Sequence, residues 1–164
     1  MFRSLLLTLV LAGVPGGLLA AQEAPPLFRH IDLGVWGTVE LGDTFSQAHR
    51  IAIEKSDGVF ELRPGTYGGA AMIRIQLGPT GRVASMHFEY DPQQSDFNAY
   101  LHTTSESFGP ATLESRTVPD GERHQVARWE DERTILEVVR RTSGEVSEVF
   151  VGMYDRAQLS APGA

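Results

Sequence analysis

Between Ala71 and Tyr90 the chain alternates with a period of two on both sides of a four-residue turn. Ala71, Ile73, Ile75 and Leu77 are interleaved with Met72, Arg74 and Gln76, and Gly78-Pro79-Thr80-Gly81 turns the chain. Ala84, Met86, Phe88 and Tyr90 then alternate with Val83, Ser85, His87 and Glu89. Because successive side chains of a strand leave on opposite faces, the pattern predicts an antiparallel hairpin with one apolar row. Such a hairpin is marginal in water by itself, so its apolar row has to be covered. A related pattern follows later. It has a strand at Gln125 to Trp129, the acidic turn Glu130-Asp131-Glu132 and a strand carrying Leu136 and Val138. After the turn Thr142-Ser143-Gly144 comes a last strand with Val149, Val151 and Met153 on one face. A shift of 63 residues without a gap lays Ile73 on Leu136, Ile75 on Val138, Gly81 on Gly144 and Phe88 on Val151. Apolar rows fall on apolar rows, and a turn glycine falls on a turn glycine.

The segments before each hairpin read as helices. A short strand over 31–39 is stopped by Gly42-Asp43-Thr44, and Thr44 with Gln47 forms a capping box. Phe45, Ala48, Ile51 and Ala52 then share a helical face until Ser56-Asp57-Gly58, after which Val59 to Leu62 is a short strand and Pro64-Gly65 with Gly68-Gly69 a loop. In the second unit Ser95 or Asp96 caps a helix with Phe97, Tyr100, Leu101, Thr104 and Phe108 on one side; Gly109-Pro110 ends it, and a polar loop passes through Pro119-Asp120-Gly121. The expected fold class is therefore α+β, made of tandem helix-plus-three-strand units whose antiparallel sheet is backed by two helices on one face. One domain over 31–157 would hold two repeats, 31–91 and 92–157. The alternative is a single irregular α+β domain whose hairpins merely look alike.

The ends of the chain are different in kind. Residues 1–21 carry one charge, Arg3, then an apolar run from Leu5 to Ala12, a break at Val14-Pro15-Gly16-Gly17, and Leu18-Leu19-Ala20-Ala21. This is the layout of a secretion signal, cut after Ala20 or Ala21, and too interrupted for a membrane span. Residues 22–30, with Ala24-Pro25-Pro26, read as a flexible leader, and residues 158–164 as a disordered tail. The expected location is periplasmic or secreted, in a bacterial setting. No cysteine is present, which removes disulfides, thiol catalysis and a lipid anchor on cysteine. The formal net charge of −7 becomes −8 once Arg3 is lost, a balance that argues against nucleic acid as partner.

Chemistry is hard to find in the sequence. There is no nucleophile elbow, phosphate loop or metal triad, and the five histidines, His30, His49, His87, His102 and His124, lack the spacing of a zinc site. Strand parity supplies the better candidate. If Ile73, Phe88, Val138 and Val151 face the helices, the other face displays Met72, Arg74, Gln76, Ser85, His87, Glu89, Ile135, Glu137, Val139, Glu148 and Phe150. Apolar Met72, Ile135, Val139 and Phe150 ringed by Arg, His and Glu form a candidate interaction patch, whose binding residues are Met72, Arg74, His87, Glu89, Ile135, Glu137, Glu148 and Phe150. A second candidate is the aromatic and acidic turn Trp129, Glu130 and Asp131, with Trp129 as an anchor; core packing is its other role. Scattered surface apolar residues are the ordinary alternative to the patch. No catalytic residue, metal ligand or cofactor is expected.

Three segments carry a resemblance: Leu41-Gly42-Asp43-Thr44-Phe45, Tyr100 to Gly109-Pro110, and Trp129-Glu130-Asp131-Glu132-Arg133-Thr134. With the repeated pattern over residues 38–155, they resemble the SmpA/OmlA group, which includes the BamE lipoproteins, and the β-lactamase-inhibitor-like proteins with two such units in tandem. The resemblance implies a helix-backed antiparallel sheet that holds another protein in or outside the cell envelope. The chain lacks the lipobox cysteine of the first group and the disulfides associated with the second, so neither family's partner carries over. The expected function is a non-enzymatic exported binding module that engages a protein partner through an open sheet face or turn loops. A small periplasmic hydrolase or ligand-binding enzyme, and an accessory factor of outer-membrane assembly, are the alternatives.

Overall fold

In the computed structural model of the chain, residues 25–45, 51–62, 69–92, 95–119 and 121–159 are described. The expected signal over 1–21, residues 46–50 of the expected first helix, and 160–164 of the expected tail lie outside them. The described residues form a small hairpin, β1 (His30–Asp32) and β2 (Thr38–Glu40), followed by β3 (Ala52–Ser56), β4 (Val59–Leu62), β5 (Met72–Leu77) and β6 (Val83–Glu89). Helix α1 (Phe97–Phe108) precedes β7 (Thr112–Thr117), β8 (Arg123–Glu130), β9 (Thr134–Ser143) and β10 (Val146–Asp155), and a single turn, α2 (Arg156–Leu159), ends the fold.

Strands β3 to β10 make one antiparallel sheet in the order β3-β4-β5-β6-β10-β9-β8-β7. Each half is a meander of four consecutive strands, and the halves meet where β6 pairs with β10. The tandem helix-plus-three-strand reading, with two helices backing the sheet, is thus corrected. More than half of the structure is strand, and among the described residues the only long helix is α1. Three segments account for the difference. Ser56-Asp57-Gly58 is no helix stop: Gly58 has φ +70° and folds β3 back on β4, with Ala52 opposite Leu62 and Glu54 opposite Phe60. An Asp-Gly pair between two strand-forming runs is a hairpin signal, and cross-strand pairing overrides the helical spacing of Ile51 and Ala52. Thr112–Thr117, expected as loop, pairs along its whole length with β8, although all six of its residues are exposed. Likewise the strand expected over 31–39 is split into β1 and β2 by a 3-10 turn at Gly34–Trp36, with Ile31 opposite Val39.

The gapless shift of 63 residues is also corrected in its second half. Ile73 pairs with Phe88, whereas Leu136 pairs with Met153, so the β9–β10 hairpin is two residues longer. Two residues are one full strand period, so every side chain keeps its face. The two halves are then related by an approximate two-fold axis through the His87–Gly152 pair: Phe88 lies opposite Val151 and Met86 opposite Met153 on either side of it.

Parity sorts the core. Ile73, Ile75, Met86, Phe88, Ala127, Trp129, Leu136, Val138 and Met153 are buried on one face. Helix α1 covers part of that face, packing on β9. Asp96 starts the helix by accepting from the Asn98 N–H at 2.8 Å, and Gly109 at φ +85° ends it. With four Thr and Ser among its last six residues, a helix of twelve residues is marginal alone, so packing holds it. Phe97 is buried, Tyr100 stacks on Tyr90 at 5.1 Å between ring centres, and Trp129 Nε1 donates to the Gly109 carbonyl at 2.8 Å. The β1–β2 hairpin adds Ile31, Leu33, Val39 and Leu41 to the same core.

Arg29 ties the first described segment to the end of β10. Its guanidinium donates to Asp155, to the Leu41 and Arg133 carbonyls, and to the Thr134 hydroxyl. Nearby, the Leu27 N–H donates to Asp131 at 2.9 Å and the Leu27 side chain is buried. The part of the expected leader from Leu27 onward is therefore packed, and Gln158 of the expected tail belongs to α2, its N–H donating to Asp155 at 3.0 Å. Asp155 and Arg29 are close to fully buried, at 7% and 11% side-chain exposure. Removing one partner leaves the other charged and out of water, so Asp155→Ala should lower the unfolding free energy by about 3 kcal/mol. In urea titrations, Arg29→Met with Asp155→Leu should lose less than Asp155→Ala alone.

Candidate functional site

The face opposite α1 is assembled by register alone. Arg74 lies opposite Glu61 and His87, Met72 and Phe150 each lie opposite Glu89, and Phe150 lies opposite Val139. Glu148 sits opposite Arg141, and Glu137 opposite Arg128 and Gly152. All eight residues expected in the patch, Met72, Arg74, His87, Glu89, Ile135, Glu137, Glu148 and Phe150, share this face, and each is half-buried. The face is curled. One groove of about 620 Å³ touches Arg74, His87, Phe150, Val139, His124 and Arg116, which come from six neighbouring strands. Laid flat, six strands would span about 24 Å. A single groove reaching all of them therefore lies in the hollow of a bent sheet.

The second expected candidate is dispersed. Trp129 is on the core face and only 4% exposed, so its ring belongs to the core and is not presented to a partner. Asp131 is spent on the backbone, accepting from the N–H groups of Arg133 at 2.8 Å and Thr134 at 2.7 Å besides Leu27. Burial by itself would raise its pKa, but these three donors with the charge of Arg29 hold it below the usual carboxylate value. Glu130 is exposed and pairs with Arg128 at 3.1 Å and Arg156 at 3.3 Å.

Charges on the curled face are compensated in rows. Lys55, Glu61, Arg74 and Glu89 form one row across four strands, with contacts of 3.1, 3.2 and 3.7 Å. Glu148, Arg141, Glu122 and His124 form another, with contacts of 2.5, 3.8 and 3.3 Å. Cross-strand ion pairs of this exposure contribute well under 1 kcal/mol each. They matter more because they hold long side chains in place across neighbouring strands. Between the rows lies a less charged strip of Phe150, Val139, His87 and Tyr154. The Arg141 guanidinium lies over the Phe150 ring at 4.9 Å.

At the two-fold axis the strip has an unusual detail. A Cβ on Gly152 would stand 2.6 Å from the Tyr154 hydroxyl, so the tyrosine ring lies across the glycine, filling the space a side chain would take. His87 and Glu137 flank that space from the two neighbouring strands. Tyr154 meets His87 edge-on at 5.2 Å, and its hydroxyl donates to Glu137. Burial, then the charge of Glu137 and that hydrogen bond, push the phenol up to about 12. His87 Nε2 is 3.0 Å from the Ser85 hydroxyl. Burial first, and the charge of Arg74 second, hold the imidazole below its ordinary pKa, so it is neutral at pH 7.

Tyr154, Arg141, His124 and Arg116 were not anticipated from the sequence. Tyr154 follows Phe150 by four residues and was within reach of parity, had β10 been carried to Asp155. Arg116 was hidden because its strand has no apolar row. Among the described residues, no group of three or more His, Asp or Glu side chains is placed to hold a metal ion, and no helix is long and apolar enough to cross a membrane.

Two outcomes are expected. Gly152→Val should displace the Tyr154 ring, cost about 1 to 3 kcal/mol of stability, and bring the tyrosine titration down from about 12 in ultraviolet difference spectra. For His87 the native state holds its proton less tightly than the unfolded chain. Its contribution is thus complete above the unfolded value near 6.5 and is lost as pH falls from there through the lowered native value. Urea midpoints should decline through that window in the parent protein and decline less in His87→Gln. Comparison with protein-family models, with curated proteins and with solved structures finds no match to this chain.

Proposed function

We propose that the chain is an exported, periplasmic or secreted, non-enzymatic module that holds a protein partner in the hollow of its sheet. The observation that carries this reading is the curled groove, in which half-buried Phe150 and Val139 are framed by charges already paired with one another. A surface of this kind gives a partner an apolar centre and a polar rim, the usual anatomy of a protein interface. Since the ion pairs exist before binding, the side chains are held in place and less ordering entropy is lost on association. The groove is open and long, which suits an extended segment or loop better than an enclosed small molecule. The export layout read from residues 1–21 supports the location.

A hydrolase on the same scaffold would draw on Ser85 and His87. Its support is their 3.0 Å contact. Against it, Ser85 is 4% exposed, and the neighbour of His87 across the sheet is the cation Arg74. A histidine acting as base is normally oriented by a carboxylate.

A photo-crosslinking residue placed at position 150, and as control at His102 on the exposed side of α1, tests the proposal in an envelope fraction. Position 150 should capture a partner that excess unlabelled protein competes away, and position 102 should not. Phe150→Asp should weaken the purified pair at least about tenfold with an unchanged circular dichroism spectrum. Equal capture from both positions would remove the groove as the binding surface.

A further inference from the structure

The two edges of the sheet are built differently. At one edge, β3 is interrupted by a register shift between Glu54 and Ser56, and it carries Lys55, whose ammonium pairs with Glu61. Bulges and lysines are the common means by which an edge strand is kept from pairing with another chain. The other edge, β7, has none of these. Its register with β8 runs without a shift from Thr112↔Arg128 to Thr117↔Arg123, it contains no proline, and all its residues are exposed. Leu113 is 63% exposed on its core-side row. Each strand of an antiparallel sheet offers hydrogen-bonding groups on both sides, and among the described residues no strand faces the outer side of β7.

The sequence of this edge is self-complementary. Glu114 and Arg116 lie on the same face of β7, two residues apart, with Ser115 between them. If a second β7 runs antiparallel about a two-fold axis at Ser115, Glu114 of each copy comes opposite Arg116 of the other, and Leu113 comes opposite Thr117. Cross-strand pairs of opposite charge favour that register, and shifting it by two residues breaks both ion pairs and sets two like charges opposite each other. An interface about a two-fold axis uses the same patch twice, which is what this palindrome of charge allows.

We infer that β7 is the dimer edge of this protein: two copies pair antiparallel through β7, Ser115 on the axis, making one continuous sheet. Arg116 also lines the groove, so the axis joins the hollows of the two copies end to end. The inference concerns the sheet edge and stands apart from the proposed use of the groove.

The test is the solution mass, by light scattering and analytical ultracentrifugation, of protein recovered from cells expressing the full sequence. A dimer is expected at low salt. Glu114→Arg puts Arg opposite Arg116 in both copies, and Arg116→Glu puts Glu opposite Glu114; each should weaken the dimer at least about tenfold. The double reversal, Glu114→Arg with Arg116→Glu, restores opposite signs and should bring the dimer back. Lys55→Glu, at the other edge, should leave the mass unchanged. A monomer up to about 100 µM, or a dimer indifferent to both single reversals, or one that the double reversal fails to restore, would overturn the inference.

Discussion

The ladder between β6 and β10 is the contact on which the rest of the molecule depends. Each half of the chain is a four-stranded meander, and the buried rows of the two halves form one continuous core. Where the last strand of one half pairs with the last strand of the other, Met86 and Phe88 come beside Met153 and Val151 on one side, while His87 comes beside Gly152 on the other. One set of backbone hydrogen bonds thus creates both the central core and the centre of the curled face. The two sides are coupled through strand parity: a slip of one residue would send Met153 to solvent and Tyr154 into the core.

Around this ladder the remaining elements act as closures. Helix α1, with few strong helix formers, covers the β9 side, and the Trp129 indole is tied to its C-terminal carbonyl. Arg29 and Asp155 join the first described segment to the last strand, so that the chain start is locked by a residue reached only when β10 is complete. On the curled face the same economy is visible in charge. An overall excess of acidic residues coexists with a groove in which Arg74 pairs with Glu89 and Arg141 with Glu148, with Phe150 and Val139 as its apolar surface.

Parity was legible from residues alone wherever one row was apolar. The β5–β6 hairpin, the inward row of β9 and β10, and the shared face of Met72, Arg74, His87, Glu89, Glu137, Glu148 and Phe150 all follow from alternation. The ends of α1 follow from Asp96 and Gly109, because unpaired backbone groups at helix ends demand particular residues there. Elsewhere local pattern misled. Ile51 and Ala52 fit a helical face, yet Asp57-Gly58 turns the strand that starts at Ala52 into one arm of a hairpin, and a paired ladder outweighs a short helical spacing. β7 has no apolar row at all; only the neighbour β8 makes it a strand.

What the sequence by itself determined is which side chains share a face, since that depends on the two-residue period of a strand and on nothing distant. It also determined the hairpin turns at Gly81 and Gly144, glycines whose backbone angles other residues rarely adopt. Which strands become neighbours was decided by tertiary structure alone. Pairing β6 with β10 brings together residues more than sixty positions apart, and no local periodicity encodes that choice. The bend that gathers Arg74 and Arg116 around one hollow, and the glycine that lets Tyr154 lie between His87 and Glu137, arise only once that pairing is made.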